Sequence, residues 1–406
     1  MRHKLMLLAG ALLIAIPATL FCLPADGVTP VNNRDYVSSV HKLIGEAKSR
    51  IRVMTYQAWY YEDYPNSDSN RFLEELIKAK KRGVDVLVFL ETSNWDQNLE
   101  GRNRDYAKRL EKGGVTVYFD HSEITSHEKV LIVDDYATLV ASNNWSHFSL
   151  WMNNEVGVIV WSEEVAGGFN GYLNELLEQA GEKAIPPSPV RDRIEPCDFK
   201  LFPAEDVQLL TNRKYFPILR KAFQNAKKSI RVIQRSANYY TMFPSYAKKG
   251  ERKPGEPISH TNVLLRELIE AKKRGIDVQV VLDAEVRKRK STGQWRVNNQ
   301  NEDFAMRLMA GNVPVFYDSL TTQTHTKMAL VDDMSIIGST NWTFNALHQG
   351  NEASVLIKSP QLAAIYQEYF DEVKKPGLEA KPGFDLFSLK QEMEKRDKKT
   401  RGDMLN

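Results

Sequence analysis

The chain has 406 residues, 42% hydrophobic and 26% charged, a balance that argues against intrinsic disorder. Its formal net charge is +3, about +1 once Arg2 and Lys4 leave with an N-terminal leader, which is too little to drive strong non-specific nucleic-acid binding by charge alone. Two cysteines, Cys22 and Cys197, exclude a disulfide framework, and no paired Cys/His spacing suits zinc.

In chain order, Arg2 and Lys4 come first, followed by an almost wholly apolar run from Leu5 to Leu23 that Pro24 to Gly27 break. This predicts a signal peptide or N-terminal anchor over residues 1–25, and so an exported protein: secreted, periplasmic or membrane-anchored. No other run is long enough to span a bilayer.

The rest of the chain repeats itself. LIKAKKRGVDVLVFL at 76–90 is answered by LIEAKKRGIDVQVVL at 268–282, and HEKVLIVDD at 127–135 by HTKMALVDD at 325–333. Trp-containing segments at 142–145 and 339–342 follow in the same order, each trailed by an Asn-Glu pair. Helical spacing is expected at 35–48 and 214–227, and strands at 51–56 and 230–234. Each LIxAKKRG segment reads as a helix closed by Gly83 or Gly275. Helices alternating with short hydrophobic strands predict an α/β fold: two fused repeats, each a mixed sheet flanked by helices. The repeats span 32–180 and 206–374, joined by a Pro-rich linker at 181–205 and followed by a charged tail at 375–406, expected to end in a short exposed helix. The second repeat carries an insertion of about a dozen residues between Ser236 and His260.

Within each repeat, His127 and Lys129, or His325 and Lys327, stand two apart and share a strand face. Asp134 and Asp332 lie an odd number of residues from the histidines, so a regular strand turns them to the other face. One His-x-Lys carries little meaning; two in matched register, each followed by Ser-x-Asn (Ser142 and Asn144, Ser339 and Asn341), carry much more.

These segments resemble the phospholipase D superfamily, whose signature is HxKx4D followed by a GSxN-type turn, twice per functional unit. The resemblance covers residues 32 to 374 and departs from the pattern at Ala141, where a glycine is usual. It implies an active site at the repeat interface, with His127, Lys129, Asp134, His325, Lys327 and Asp332 as the catalytic motif. One histidine would attack phosphorus to give a phosphohistidine while the other protonates the leaving alcohol; the family's habit favours His127 as the nucleophile. The lysines, with Ser142, Asn144, Ser339 and Asn341, would bind the phosphoryl oxygens, and Glu155 and Glu352 would orient the imidazoles. His41, His121, His147, His260 and His348 have no matched partner and read as structural or surface residues. No metal and no cofactor is needed, and one chain suffices for a complete site. The expected activity is phospholipase D-type hydrolysis of phospholipids at a membrane surface. The alternatives are an exported endonuclease acting on nucleic acid, a phosphatidyl transferase resembling cardiolipin synthase, and a non-catalytic, membrane-tethered phosphate-binding protein.

Overall fold

The computed structural model describes residues 22–190, 192–245, 258–284, 286–288, 295–320 and 322–381, with isolated positions between 386 and 395. The body of the insertion (246–257) and most of the chain beyond 381 fall outside these residues, as do residues 1–21, where the sequence places a leader or anchor. Cys22 to Ala25, assigned to the leader from sequence, lie against the body: Leu23 N donates to Val207 O at 2.9 Å, and Ser162 Oγ to Pro24 O at 2.6 Å.

The first repeat runs β1 (Gly27–Pro30), α1 (Asp35–Glu46), β2 (Arg50–Thr55), α2 (Asp68–Lys81), β3 (Asp85–Leu90), α3 (Gln97–Lys112), β4 (Thr116–Phe119), β5 (Lys129–Val133), β6 (Ala137–Ala141), β7 (Gly157–Trp161) and α4 (Glu163–Gln179). The second runs β8 (Asp206–Thr211), α5 (Tyr215–Asn225), β9 (Ser229–Gln234), α6 (His260–Lys273), β10 (Asp277–Leu282), β11 (Val286–Lys288), β12 (Trp295–Val297), α7 (Glu302–Ala310), β13 (Val315–Tyr317), β14 (Lys327–Val331), β15 (Met334–Gly338), α8 (Phe344–His348), β16 (Ala353–Lys358) and α9 (Pro360–Lys374), ending on β17 (Leu378–Glu379). The expected LIxAKKRG helices are α2 and α6, begun by Ser67 and Ser259 side-chain caps and ended by Gly83 and Gly275 at φ +95° and +87°. The coarse sequence reading omits α3 with β4, and their counterparts α7 and β13, which intervene before each His-x-Lys.

Each repeat builds one mixed sheet, of order β1-β7-β6-β5-β2-β3-β4 and β17-β13-β10-β9-β14-β15-β16-β8. In both, the strand carrying the lysine (β5 or β14) pairs antiparallel with β2 or β9 at the sheet centre, and so is buried at every position. Helices α1, α2 and α3 cover the outer face of the first sheet, and α5, α6 and α7 that of the second, each over its own apolar core. A third core is shared: Val130, Ile132, Val140 and Val158 of one sheet join Met328, Leu330, Ile337 and Val355 of the other, with α4 and α9 alongside. This shared core sets the two sheets face to face and brings the starts of β5 and β14 to one place.

Ala141, the departure from the motif glycine, is compensated across the sheet. In the second repeat Gly338 faces Ser354, and a Cβ on Gly338 would collide with Ala353 O and Ser354. In the first, Ala141 faces Gly157, where a Cβ would come within 2.9 Å of the Ala141 methyl. The strand pair needs one residue without a side chain, and the two repeats place it on opposite strands.

Candidate active site

Each histidine stands just before its strand, on a loop tied to the other repeat. His127 N donates to Asn351 O and His325 N to Asn154 O, both at 2.9 Å, while Asn351 N and Asn154 N return bonds to Thr125 O and Gln323 O. Because Asn351 and Asn154 immediately precede Glu352 and Glu155, this pairing crosses the carboxylates between repeats. Glu352 meets His127 Nδ1 at 3.0 Å, and Glu155 meets His325 Nδ1 at 3.0 Å. Sequence reading finds both glutamates but not the crossing, which depends on contacts between halves far apart in the chain.

With Nδ1 facing a carboxylate, each ring keeps Nε2 for chemistry. Both imidazoles are largely enclosed, their side chains 11% and 14% exposed. Burial lowers the affinity of both for a proton: His127 falls well below the usual range, helped by the charges of Lys129, Lys327 and His325. His325 drops to about 4, burial outweighing the support of Glu155.

Lys129 and Lys327 are each only 2% exposed. Their ammonium groups donate to the carbonyls of their own histidines, His127 O at 2.6 Å and His325 O at 2.5 Å. Neither has a carboxylate at ion-pair distance among the described residues, so burial pushes Lys129 down to about 8 and Lys327 well below its normal value. Two buried ammonium groups with no carboxylate in direct contact, though Glu155 and Glu352 act on both from a distance, form a cradle for an anion. The amide oxygens of Asn144 and Asn341 are buried without a partner, which leaves both amides uncommitted beside the motif.

The serines are placed otherwise than expected. Ser142 Oγ donates to Glu155 Oε2 at 2.5 Å and accepts from Val156 N. Ser339 Oγ likewise donates to Glu352 and accepts from Ala353 N. The single hydroxyl proton of each is spent on the carboxylate that orients an imidazole, which leaves none for a phosphoryl oxygen.

Asp134 and Asp332, counted with the catalytic motif from sequence, lie at the far end of β5 and β14 from the histidines. Asp134 accepts from the N–H groups of Lys48, Ser49 and Arg50 at 2.9, 2.7 and 2.8 Å, and Asp332 from those of Lys227, Lys228 and Ser229. Both sit at positive φ, +54° and +55°, closing the turn after the strand and pinning the entry of β2 or β9. They anchor the scaffold and touch nothing at the reacting end.

Other residues reach the site with no signal in the motif. Tyr56 lays its ring edge-on to His127, centroids 4.8 Å apart, and under Lys129 Nζ at 5.0 Å. Its counterpart across the repeat is Arg235, whose charge acts on both His325 and Lys327. Of the unmatched histidines, His41 is held between Asp68 and Glu75, and His260 and His348 stack on each other and on Phe216 and Phe344.

Two mixed sheets joined over a shared core, with a His–Lys pair from each at the junction, define a two-repeat α/β protein with one composite site. The chain matches the family described as "Cardiolipin synthase, PLD-like domain" over residues 40–177 and 219–374. It belongs to the phospholipase D superfamily. It is 28% identical to cardiolipin synthase B of Escherichia coli K12 over 150 residues, 36% of this chain and 35% of that protein. To cardiolipin synthase A of Shigella dysenteriae it is 21% identical over 333 residues, 76% of this chain and 63% of that one. The chain thus aligns with about a third to just under two thirds of the length of these relatives. A phosphatidylserine synthase from Haemophilus influenzae Rd KW20 has the same fold, with a TM-score of 0.65 over 95% of this chain and 96% of that one, at 15% identity. No helix among the described residues is long and apolar enough to cross a membrane.

Proposed function

We propose that the protein is a phosphatidyl transferase, moving the phosphatidyl group of one phospholipid to the hydroxyl of an acceptor alcohol. The observation that carries this is the crossed pair of imidazole–carboxylate units around two buried lysines that no carboxylate contacts directly. One Nε2 attacks phosphorus, forming a P–N bond as the P–O bond to the leaving alcohol breaks, and the facing imidazolium gives that oxygen its proton. The same imidazole then takes the proton of the acceptor hydroxyl, whose oxygen displaces the histidine. Lys129 and Lys327 hold the phosphoryl oxygens through both steps, supplying the positive charge on which the developing transition state depends. Burial keeps His127 free of its proton, as attack requires, and the ionised Glu155, held at about 2 by His325, Lys327 and Ser142 against the effect of burial, suits His325 to carry the proton.

Sequence alone ranks hydrolysis ahead of transfer. The relatives weigh the other way, since those named above are synthases of phospholipids, and the enclosed histidines favour a bound alcohol over bulk water. The deciding experiment supplies phosphatidylglycerol vesicles and deuterated glycerol in EDTA and follows the lipids by mass spectrometry. Deuterated phosphatidylglycerol or cardiolipin in excess of phosphatidic acid, lost in His127→Ala and His325→Ala, supports transfer. Phosphatidic acid alone returns the reading to hydrolysis, and cleavage of single-stranded DNA without lipid turnover would move it to a nuclease.

A further inference from the structure

Between His127 and Lys129 stands a carboxyl that the mechanism leaves idle. Glu128 is 1% exposed, and its Oε2 is buried without a hydrogen-bond partner. In the second repeat the same position is Thr326, whose hydroxyl lies 2.7 Å from Tyr369 Oη; Tyr369 in turn donates to Glu155 O at 2.9 Å. The first repeat keeps the tyrosine and exchanges its neighbour. Tyr172 Oη lies 2.8 Å from Glu128 Oε1, 2.7 Å from Asn212 Oδ1 and 3.3 Å from Glu352 O, three acceptors for one proton. Asn212 Oδ1 also takes the Glu352 N–H at 2.9 Å. One hydroxyl therefore joins the idle carboxyl to the backbone of the glutamate that holds His127.

The groups that act on Glu128 come from several elements: Tyr172 of α4, Lys129 of β5, Asp120 after β4, Glu91 after β3 and Glu352 ahead of β16. The acidic pair behind the histidine loop has a counterpart in the second repeat, Asp283 and Asp318, so it does not distinguish the halves. Glu128 does.

We propose that Glu128 is a positioning residue that makes the two halves of the site unequal, setting through Tyr172 how firmly Glu352 holds His127. The proposal rests on the phosphoryl-transfer reading of the site. While Glu128 is protonated, it can share the Tyr172 hydroxyl without adding charge, and Glu352 can ionise against His127 with no negative charge from Glu128 beside it. Once Glu128 ionises, a second negative charge stands beside Glu352 and competes for that hydroxyl, so Glu352 gives up its own proton less readily and orients His127 less well. Burial pushes the Glu128 carboxyl up to about 7, with Tyr172 and Lys129 opposing and Asp120 adding to the rise. The switch therefore falls near neutrality, and His325, which has Thr326 beside it, does not feel it directly.

The test is the pH profile of two readouts in EDTA, turnover of bis(p-nitrophenyl) phosphate and calorimetric affinity for tungstate, for wild type, Glu128→Gln and Glu128→Thr. The ratio of variant to wild-type kcat is expected to rise at least about fivefold between about pH 6 and pH 8.5, with KM nearly unchanged. Tyr172→Phe, which removes both the link to Glu352 and the donor that favours the ionised carboxyl, should weaken the wild-type decline and move what remains to higher pH, and carries the test if the Glu128 variants fail to fold. A ratio that stays constant with pH in an active enzyme, or an unmoved profile in Tyr172→Phe, overturns the role of Glu128 and leaves the transfer reading standing. Wild type that neither binds tungstate nor cleaves the diester would remove the site itself, and this proposal with it.

Discussion

The two repeats agree in the groups that meet at the junction and differ in the residues packed around those groups. At the junction the pattern is nearly superposable: histidine on a loop tied to the partner's Asn-Glu pair, lysine folded onto its own histidine's carbonyl, serine spent on the crossed carboxylate. Against these groups, Glu128 stands where the second repeat has Thr326, and Tyr56 where it has Arg235. Further still, a single π-helical turn at Phe148–Met152 leaves Phe148, Trp151 and Met152 exposed, while the equivalent α8 is packed beneath Tyr240, Phe243 and His260. A duplicated fold can keep the reacting atoms symmetric while the surroundings assign the two halves different tasks.

The largest expected effect breaks the symmetric part. Lys129→Met or Lys327→Met should lower kcat/KM by about 10²- to 10³-fold, the usual cost of a lost charge-stabilising donor. The same change should stabilise the fold. The Lys129 value of about 8 against 10.5 unfolded means that the folded state disfavours the proton. The penalty is fully present below about pH 8 and disappears as pH rises towards 10.5, and it amounts to roughly 3 kcal/mol. Thermal melts of Lys129→Met at pH 6 should therefore lie above wild type, with the gap closing in alkali; a variant less stable than wild type at pH 6 contradicts the reading of a buried cation that no carboxylate contacts directly.

A smaller effect sharpens the crossing. Double-mutant cycles on stability should give about 1–3 kcal/mol of coupling between His127 and Glu352, and between His325 and Glu155. Within one repeat, His127 with Glu155 should couple by no more than a few tenths. Strong coupling within a repeat would undo the crossed arrangement. The smallest effect concerns the exchanged glycine. Gly338→Ala should cost about 1–3 kcal/mol by overpacking against Ala353 and Ser354, measured by denaturant melts. Ala141→Gly, at the equivalent position, should cost only about 0.5–1 kcal/mol.

Much of this was legible in the sequence because it is local and repeated. The α2 and α6 helices, their closing glycines and the two His-x-Lys strands recur in register, and repetition turns weak periodic signals into strong ones. The aspartates could be read as lying off the reacting face from strand parity, yet their motif position still placed them with the catalytic set; only the three N–H groups converging on each show what they hold. Ser142 and Ser339 were misplaced for a different reason. A hydroxyl two residues before an asparagine in the motif looks available, and what consumes its proton is a glutamate on the neighbouring strand. Tyr172, Tyr56 and Arg235 belong to helices and strand ends with no motif of their own, and the crossing of Glu155 and Glu352 exists only once the shared core brings the repeats together.

If the two halves form one site that works through a covalent histidine intermediate, that intermediate can be trapped. Wild type, His127→Ala and His325→Ala would be mixed with phosphatidylglycerol vesicles in EDTA, quenched in alkali, and mapped by mass spectrometry for a phosphatidyl adduct. The expected adduct is on His127, accumulating in His325→Ala and absent from His127→Ala. An adduct on both histidines, on a residue outside the two motifs, or none in an enzyme that turns lipid over would contradict it.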